Sequence, residues 1–218
     1  MINKNKKIIA LQNKVINRML IDIVKLGFNE KTLIVAAKNC NISKGYLGRL
    51  FPEGISDFKK IFFNNINNKM LLQINKYDYS NYKIRDKIFN GVIIRLQIFN
   101  KHKLAIKRIL ISESDRPYNN IKNLWKTADL IWQTAGDKST DYNYYTKRLL
   151  LSWVYISTLL CWLNEKEQDM KNTKLFLNRR INDVLLFGKT SNKLKNSIQN
   201  INFTNKIINT LKEIRTIN

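Results

Sequence analysis

WKTADLIWQTAGDKSTDYNYYTKR, Trp125 to Arg148, runs directly into the apolar stretch Leu149–Leu163. Leu124, Ala128, Ile131 and Ala135 recur at helical spacing, with Trp125, Asp129 and Trp132 on an adjacent stripe of the same amphipathic helix. Gly136 closes that helix, and Ser139, Thr140 and Asp141 offer oxygens to cap a second one beginning near Asn143. The second helix carries Tyr144, Tyr145 and Arg148 in its first turns and then Leu149–Leu163, which has no charged residue. That run is shorter than the roughly 20 residues a bilayer requires, so it predicts a buried helix with a cation at the entrance of an apolar interior.

Outward from this stretch the chain reads as helices throughout, with no strand pattern and no internal repeat. Residues 8–26 set Ile8, Leu11, Val15, Met19, Ile23 and Leu26 on one face, ending at Gly27. Leu33–Lys38 reads as a short helix and Asn39–Ile42 as a turn; Ser43 reads as the N-cap of a helix that Pro52 stops. Ala36–Phe62 thus resembles the second half of a TetR-type DNA-binding domain, in which Lys44, Tyr46 and Arg49 would face the major groove. The same hairpin also reads as a packing device, with Leu47, Leu50 and Phe51 buried against the first helix. Helical spacing continues through Phe58–Leu71, Ile84–Phe99, residues 104–112 and, after Pro117, the helix holding Trp125 and Trp132. His102, the sole histidine, lies between Lys101 and Lys103 and reads as solvated. Asn164–Asn172 is a polar loop, and Phe176–Phe187 a further core helix before Gly188.

The tail differs in kind. Leu194, Ile198, Ile201, Ile208 and Leu211 form an apolar stripe opposite Lys193, Lys195, Lys206, Lys212 and Arg215, a basic amphipathic helix suited to an anionic membrane surface or to packing on the body or on a second copy. The formal charge of +23 favours an anionic partner, nucleic acid or membrane, but it is spread along a chain rich in Lys, Asn and Ile. Cys40 and Cys161 suggest neither a disulfide framework nor a zinc site. Residues 1–14 have the character neither of a secretory signal nor of an arginine- and serine-rich mitochondrial leader.

TADLIWQTAGDKSTDYNYYTKR, with FLNRRINDVLLFGK (Phe176–Lys189) and LFPEG (Leu50–Gly54), resembles the coenzyme Q biosynthesis protein nine family over most of residues 28–189. The resemblance implies an all-α, TetR-like fold: a helix-turn-helix region over 1–78, a helical lipid-binding bundle over 79–189, and the basic amphipathic helix over 190–218. It implies an accessory protein that binds a phospholipid or isoprenoid ubiquinone precursor and presents it to the demethoxyubiquinone hydroxylase. A homodimer is expected by the same analogy, and specific DNA is not expected as a partner. With no leader character in residues 1–14 and no run long enough to span a membrane, the expected location is cytoplasmic, peripheral at the inner membrane of a bacterium.

The candidate residues follow. Trp125, Trp132, Trp153 and Tyr155 are candidates to line an apolar lipid pocket, although any one of them taken alone reads first as plain core. The resemblance associates the second basic residue of TKR, Arg148, with a phospholipid headgroup; the alternative is an intrachain partner such as Asp141 or Asp129. Tyr144 and Tyr145 match an aromatic pair on the surface that engages the hydroxylase, although the first of the pair is commonly Trp in the family. No catalytic set, metal site or cofactor loop can be assembled from one histidine and no glycine-rich phosphate motif. The rival reading is a TetR-type transcriptional regulator with an apolar effector.

Overall fold

The structure is a computed structural model that describes residues 2–112, 117–167 and 169–198, with side chains over 5–112, 121–167 and 169–186. Among the described residues it is all-α and TetR-like, with no strand. The helices are α1 (Ile2–Leu26), α2 (Glu30–Asn39), α3 (Lys44–Leu50), α4 (Ile55–Ile74), α5 (Ile84–Asn100), α6 (Lys103–Ile111), α7 (Pro117–Thr134), α8 (Tyr142–Asn164) and α9 (Lys171–Ile198). The described residues of Met1–Leu72 and Gln97–Asn120 form one compact unit, those of Gln73–Leu96 and Ile121–Asn218 a second.

In the first unit, the stripe predicted along α1 is its buried face: Val15, Met19 and Ile23 are fully buried. The hairpin of α2 and α3 is built by capping. Asn29 Oδ1 accepts from Thr32 N at 2.9 Å and Ser43 Oγ from Tyr46 N at 3.3 Å, each satisfying an N–H that the first helical turn leaves without a partner. Leu33, Ala36, Leu47, Leu50 and Phe51 are buried, and α1 grips the hairpin through Gln12 Nε2 to Leu50 O at 2.8 Å and Lys14 Nζ to Cys40 O at 3.2 Å. Lys44, Tyr46 and Arg49 lie on the exposed side of α3. Phe28, Phe58, Phe62 and Phe99 continue the core as a chain of ring contacts 5.6–6.5 Å apart.

The second unit packs α8 against α9, with Trp162 and Leu177 fully buried. Gly91 lets α5 approach α7 closely: a Cβ there would stand 3.0 Å from Ile131 Cγ2. Arg95 is buried on α5 and donates from Nε to Tyr155 Oη of α8 at 3.0 Å. Helix α9 does not stop at Gly188 but runs on to Ile198, since one interior glycine costs only about 1 kcal/mol relative to alanine and does not end a helix. Leu194 and Ile198 therefore belong to the α9 backbone, while their side chains, and Ile201, Ile208 and Leu211 altogether, lie outside the described residues. No helix of the described residues is long and apolar enough to cross a membrane.

Candidate functional site: the α7–α8 junction

Helix α7 ends as its sequence prescribes. Gly136 adopts φ +89°, Asp137 N donates to Trp132 O at 3.0 Å and Gly136 N to Gln133 O at 3.0 Å, the paired bonds of a Schellman stop. Asp141 then caps α8, accepting from Asn143 N at 3.0 Å. This stop places the Asp137 carboxylate beside the negative end of α7, where an acid is disfavoured by the helix dipole.

Cations from α8 make that placement possible. Asp137 accepts from Lys147 Nζ at 2.7 Å, Arg148 Nη1 at 2.8 Å and the Ser139 hydroxyl at 2.7 Å, and its side chain is 4% exposed. Arg148 also donates from Nε to Asp129 at 2.6 Å and from Nη1 to Tyr144 O at 3.2 Å, and its guanidinium carbon stands 3.5 Å from the centre of the Tyr144 ring. Burial works to raise the Asp137 pKa, but the hydrogen bonds from Lys147, Arg148 and Ser139 outweigh it and hold the carboxyl far below the ordinary range. Burial likewise opposes the charge on Arg148, and Asp137 and Asp129 outweigh it and raise its pKa. Two acids and two bases thus form a charge-balanced cluster.

The predicted residues fall into separate environments. Arg148 is 1% exposed and does not stand open at the mouth of an apolar interior. The intrachain alternative is realised through Asp129, joined by Asp137, whereas Asp141 is occupied as a cap. Trp125 packs with Tyr145, rings 6.2 Å apart, and with Tyr144 at 6.3 Å; the two tyrosines meet edge-on at 5.1 Å. Tyr144 also donates to Asp129 at 3.2 Å. The pair expected at a partner surface and one tryptophan expected in the pocket therefore form a single aromatic cluster, with Tyr145 buried and Tyr144 half-buried. Trp132 is half-buried, donating to Lys147 O at 2.9 Å beneath the Lys147 ammonium. Tyr155 is buried against Arg95, and Trp153 is 66% exposed.

Two groups were not legible in advance. Asp137 is the hub of the cluster, and the sequence did not mark it because its partners lie ten and eleven residues away on another helix. Arg95, a lone charge in the apolar run Val92–Phe99, was the available signal for a buried polar contact. Among the described residues no group of three or more His, Cys, Asp or Glu side chains is placed to hold a metal ion.

Comparison with known proteins places this junction inside the span matched by a family model. The sequence model of the COQ9 family matches residues 118–188, which take in α7, α8 and much of α9. The mitochondrial ubiquinone biosynthesis protein COQ9 of Homo sapiens is 34% identical over 84 residues, 37% of this chain and 26% of the relative. That of Rattus norvegicus is 29% identical over 114 residues, 52% of this chain and 36% of the relative. That of Xenopus tropicalis is 24% identical over 189 residues, 82% of this chain and 59% of the relative. The chain thus spans less than two thirds of the length of each of these relatives. Their names make them mitochondrial proteins, which overturns the expected location on the cytoplasmic side of a bacterial inner membrane. That expectation rested on residues 1–14 lacking leader character, and such an absence specifies no compartment. With α7, α8 and much of α9 inside the matched span, the chain carries the COQ9 family signature over residues 118–188 and is similar to COQ9 proteins over up to four fifths of its length.

Proposed function

We propose that this chain is an accessory protein of ubiquinone biosynthesis that binds a phospholipid or an isoprenoid quinone precursor and brings it to the demethoxyubiquinone hydroxylase, which performs the chemistry. One observation carries the reading: helix α8, within the family-matched span, holds Trp153 and Leu160 outward at 66% and 58% exposure, one above the other at i and i+7. Ile156, between them on the same side, is half-buried. Exposed tryptophan and leucine in register are costly in water and are matched by an acyl or isoprenoid chain, or by a protein surface. The charge-balanced junction at the start of the same helix supports the aromatic cluster of Trp125, Tyr144 and Tyr145, which in this reading backs the surface met by the hydroxylase. A lipid phosphate that reaches Arg148 must displace Asp129, the more exposed of its two carboxylates at 21%. The net charge of +23 attracts the chain to an anionic membrane from which such a lipid would come.

The test is native extraction of the purified protein followed by mass spectrometry of the lipid that accompanies it, with Trp153→Ser beside the wild type. Phospholipid or polyprenyl quinone precursor is expected with the wild type and is reduced several-fold in the variant, whose fold is unaffected because the indole is largely outside the core. A protein that carries no lipid, and retards one DNA fragment selectively at physiological salt, would replace this reading with the transcriptional regulator.

A further inference from the structure

A recess lies in the N-terminal unit, remote in sequence from the family-matched helices. Asn13, Ile16, Asn17 and Leu20 follow one another at i, i+3, i+4 and i+7 along α1 and so share one face. Phe62, Asn65, Ile66 and Lys69 repeat that spacing on α4. Together these faces bound a groove of about 310 Å³, completed by Ile98 of α5 and by His102 in the turn before α6.

The groove is chemically two-sided. Its apolar floor is formed by Ile16, Leu20, Phe62 and Ile66, all 5% exposed or less. Its rim is amide and cation: Asn17, Asn68 and Lys69 are exposed, and Asn65 Nδ2 donates to Asn13 Oδ1 at 2.7 Å. With its oxygen accepting from Asn65, Asn13 retains its amide N–H groups as donors. None of the lining residues is a carboxylate. Burial first, then the charges of Lys101 and Lys69, keep the His102 pKa below its ordinary value, so the imidazole is neutral at pH 7 and carries one N–H. His102 is thus half-buried in a groove wall, where its sequence neighbours suggested open solvent.

We propose that this groove binds a small amphipathic anion: a carboxylate or phosphate head held by Lys69 and the amide donors, with a short hydrocarbon part on the apolar floor. An ammonium and several N–H donors with no acid among them select an anion over a cation or a neutral polar molecule. The volume lies at the lower end of small-molecule sites, too small for a long isoprenoid chain, so the site is separate from the lipid contact proposed above.

Because His102 is the only histidine of the chain, its imidazole resonances report on the groove without ambiguity in the intact protein. Octanoate and hexyl phosphate are titrated at about 0.15 M salt, where long-range attraction to the basic surface is largely screened. Acetate and octyltrimethylammonium serve as controls. The expected result is a saturable shift of the His102 signals with octanoate or hexyl phosphate, the tighter of the two identifying the head group, and little response to either control. Lys69 is exposed, so Lys69→Gln leaves the fold intact and is expected to weaken binding about tenfold, whereas Lys31→Gln, which removes an equal charge from α2, does not. No shift with either anion, a shift that fails to saturate, an equal response to octyltrimethylammonium, or indifference to Lys69→Gln would each overturn the proposal.

Discussion

Replacing Arg148 by methionine removes the cation that joins α7 to α8 while keeping much of its unbranched stem. The change deletes bonds of 2.6 Å to Asp129, 2.8 Å to Asp137 and 3.2 Å to Tyr144 O, together with the stack on the Tyr144 ring. Removing one partner from a buried ion pair costs about 3–5 kcal/mol, because the other charge stays behind without compensation. Here Asp137 keeps Lys147 at 2.7 Å and Asp129 has some access to water, which places the expected loss at the lower end, about 3 kcal/mol. All four tryptophans, Trp125, Trp132, Trp153 and Trp162, lie in the C-terminal unit, so their fluorescence during urea unfolding follows the unit under test. With a denaturant slope of about 2 kcal/mol/M, the midpoint falls by about 1.5 M. Asp129→Asn, at the more exposed end of the cluster, is expected to cost about 1 kcal/mol. If the two variants shift the midpoint equally, Arg148 does not hold the junction together and the argument fails.

Two further outcomes follow from the same helices. The Asp137 carboxyl is held far below its unfolded value of about 3.9, so the native state binds fewer protons than the unfolded chain as the solution is acidified. Its contribution to stability is therefore complete above about pH 5 and is lost as the pH falls through the unfolded value toward the folded one; urea midpoints taken down to about pH 3 should decline less steeply in Asp137→Asn than in the wild type. Gly91→Ala sets a methyl 3.0 Å from Ile131 Cγ2 and 3.3 Å from Cγ1, and Ile131 is fully buried. Overpacking of about 1–3 kcal/mol should outweigh the roughly 1 kcal/mol gained in helix propensity, and a variant as stable as the wild type by thermal melting would show that α5 and α7 can move apart.

Much of the fold was legible because it depends on neighbours in sequence. The stripe Val15, Met19 and Ile23, the caps at Ser43 and Asp141, and the glycine stop at Gly136 are each decided within a few residues, and helical periodicity states which side chains share a face. The TADLIWQTAGDKSTDYNYYTKR segment carried the family as well, since its residue types and spacing are specific enough to be matched without coordinates. What faces what could not be read in this way. The run Leu149–Leu163 is apolar nearly all round, so no polar side marks its outward face, and Trp153 emerges at the surface while Tyr155 is buried against Arg95. Asp137 sits three residues past the end of α7, directly after Gly136, and only the approach of α8 gives it Lys147 and Arg148 and makes it the centre of an ion cluster. The pairing of Asn13 with Asn65 across 52 residues, and with it the groove beside His102, exists only once α1 and α4 are packed. Sequence by itself determined the helices, those ends marked by a cap or a glycine stop, and the family resemblance, although Gly188 did not end α9; tertiary structure alone decided the partners, because a helical repeat specifies the direction of a side chain and leaves open which element arrives to meet it.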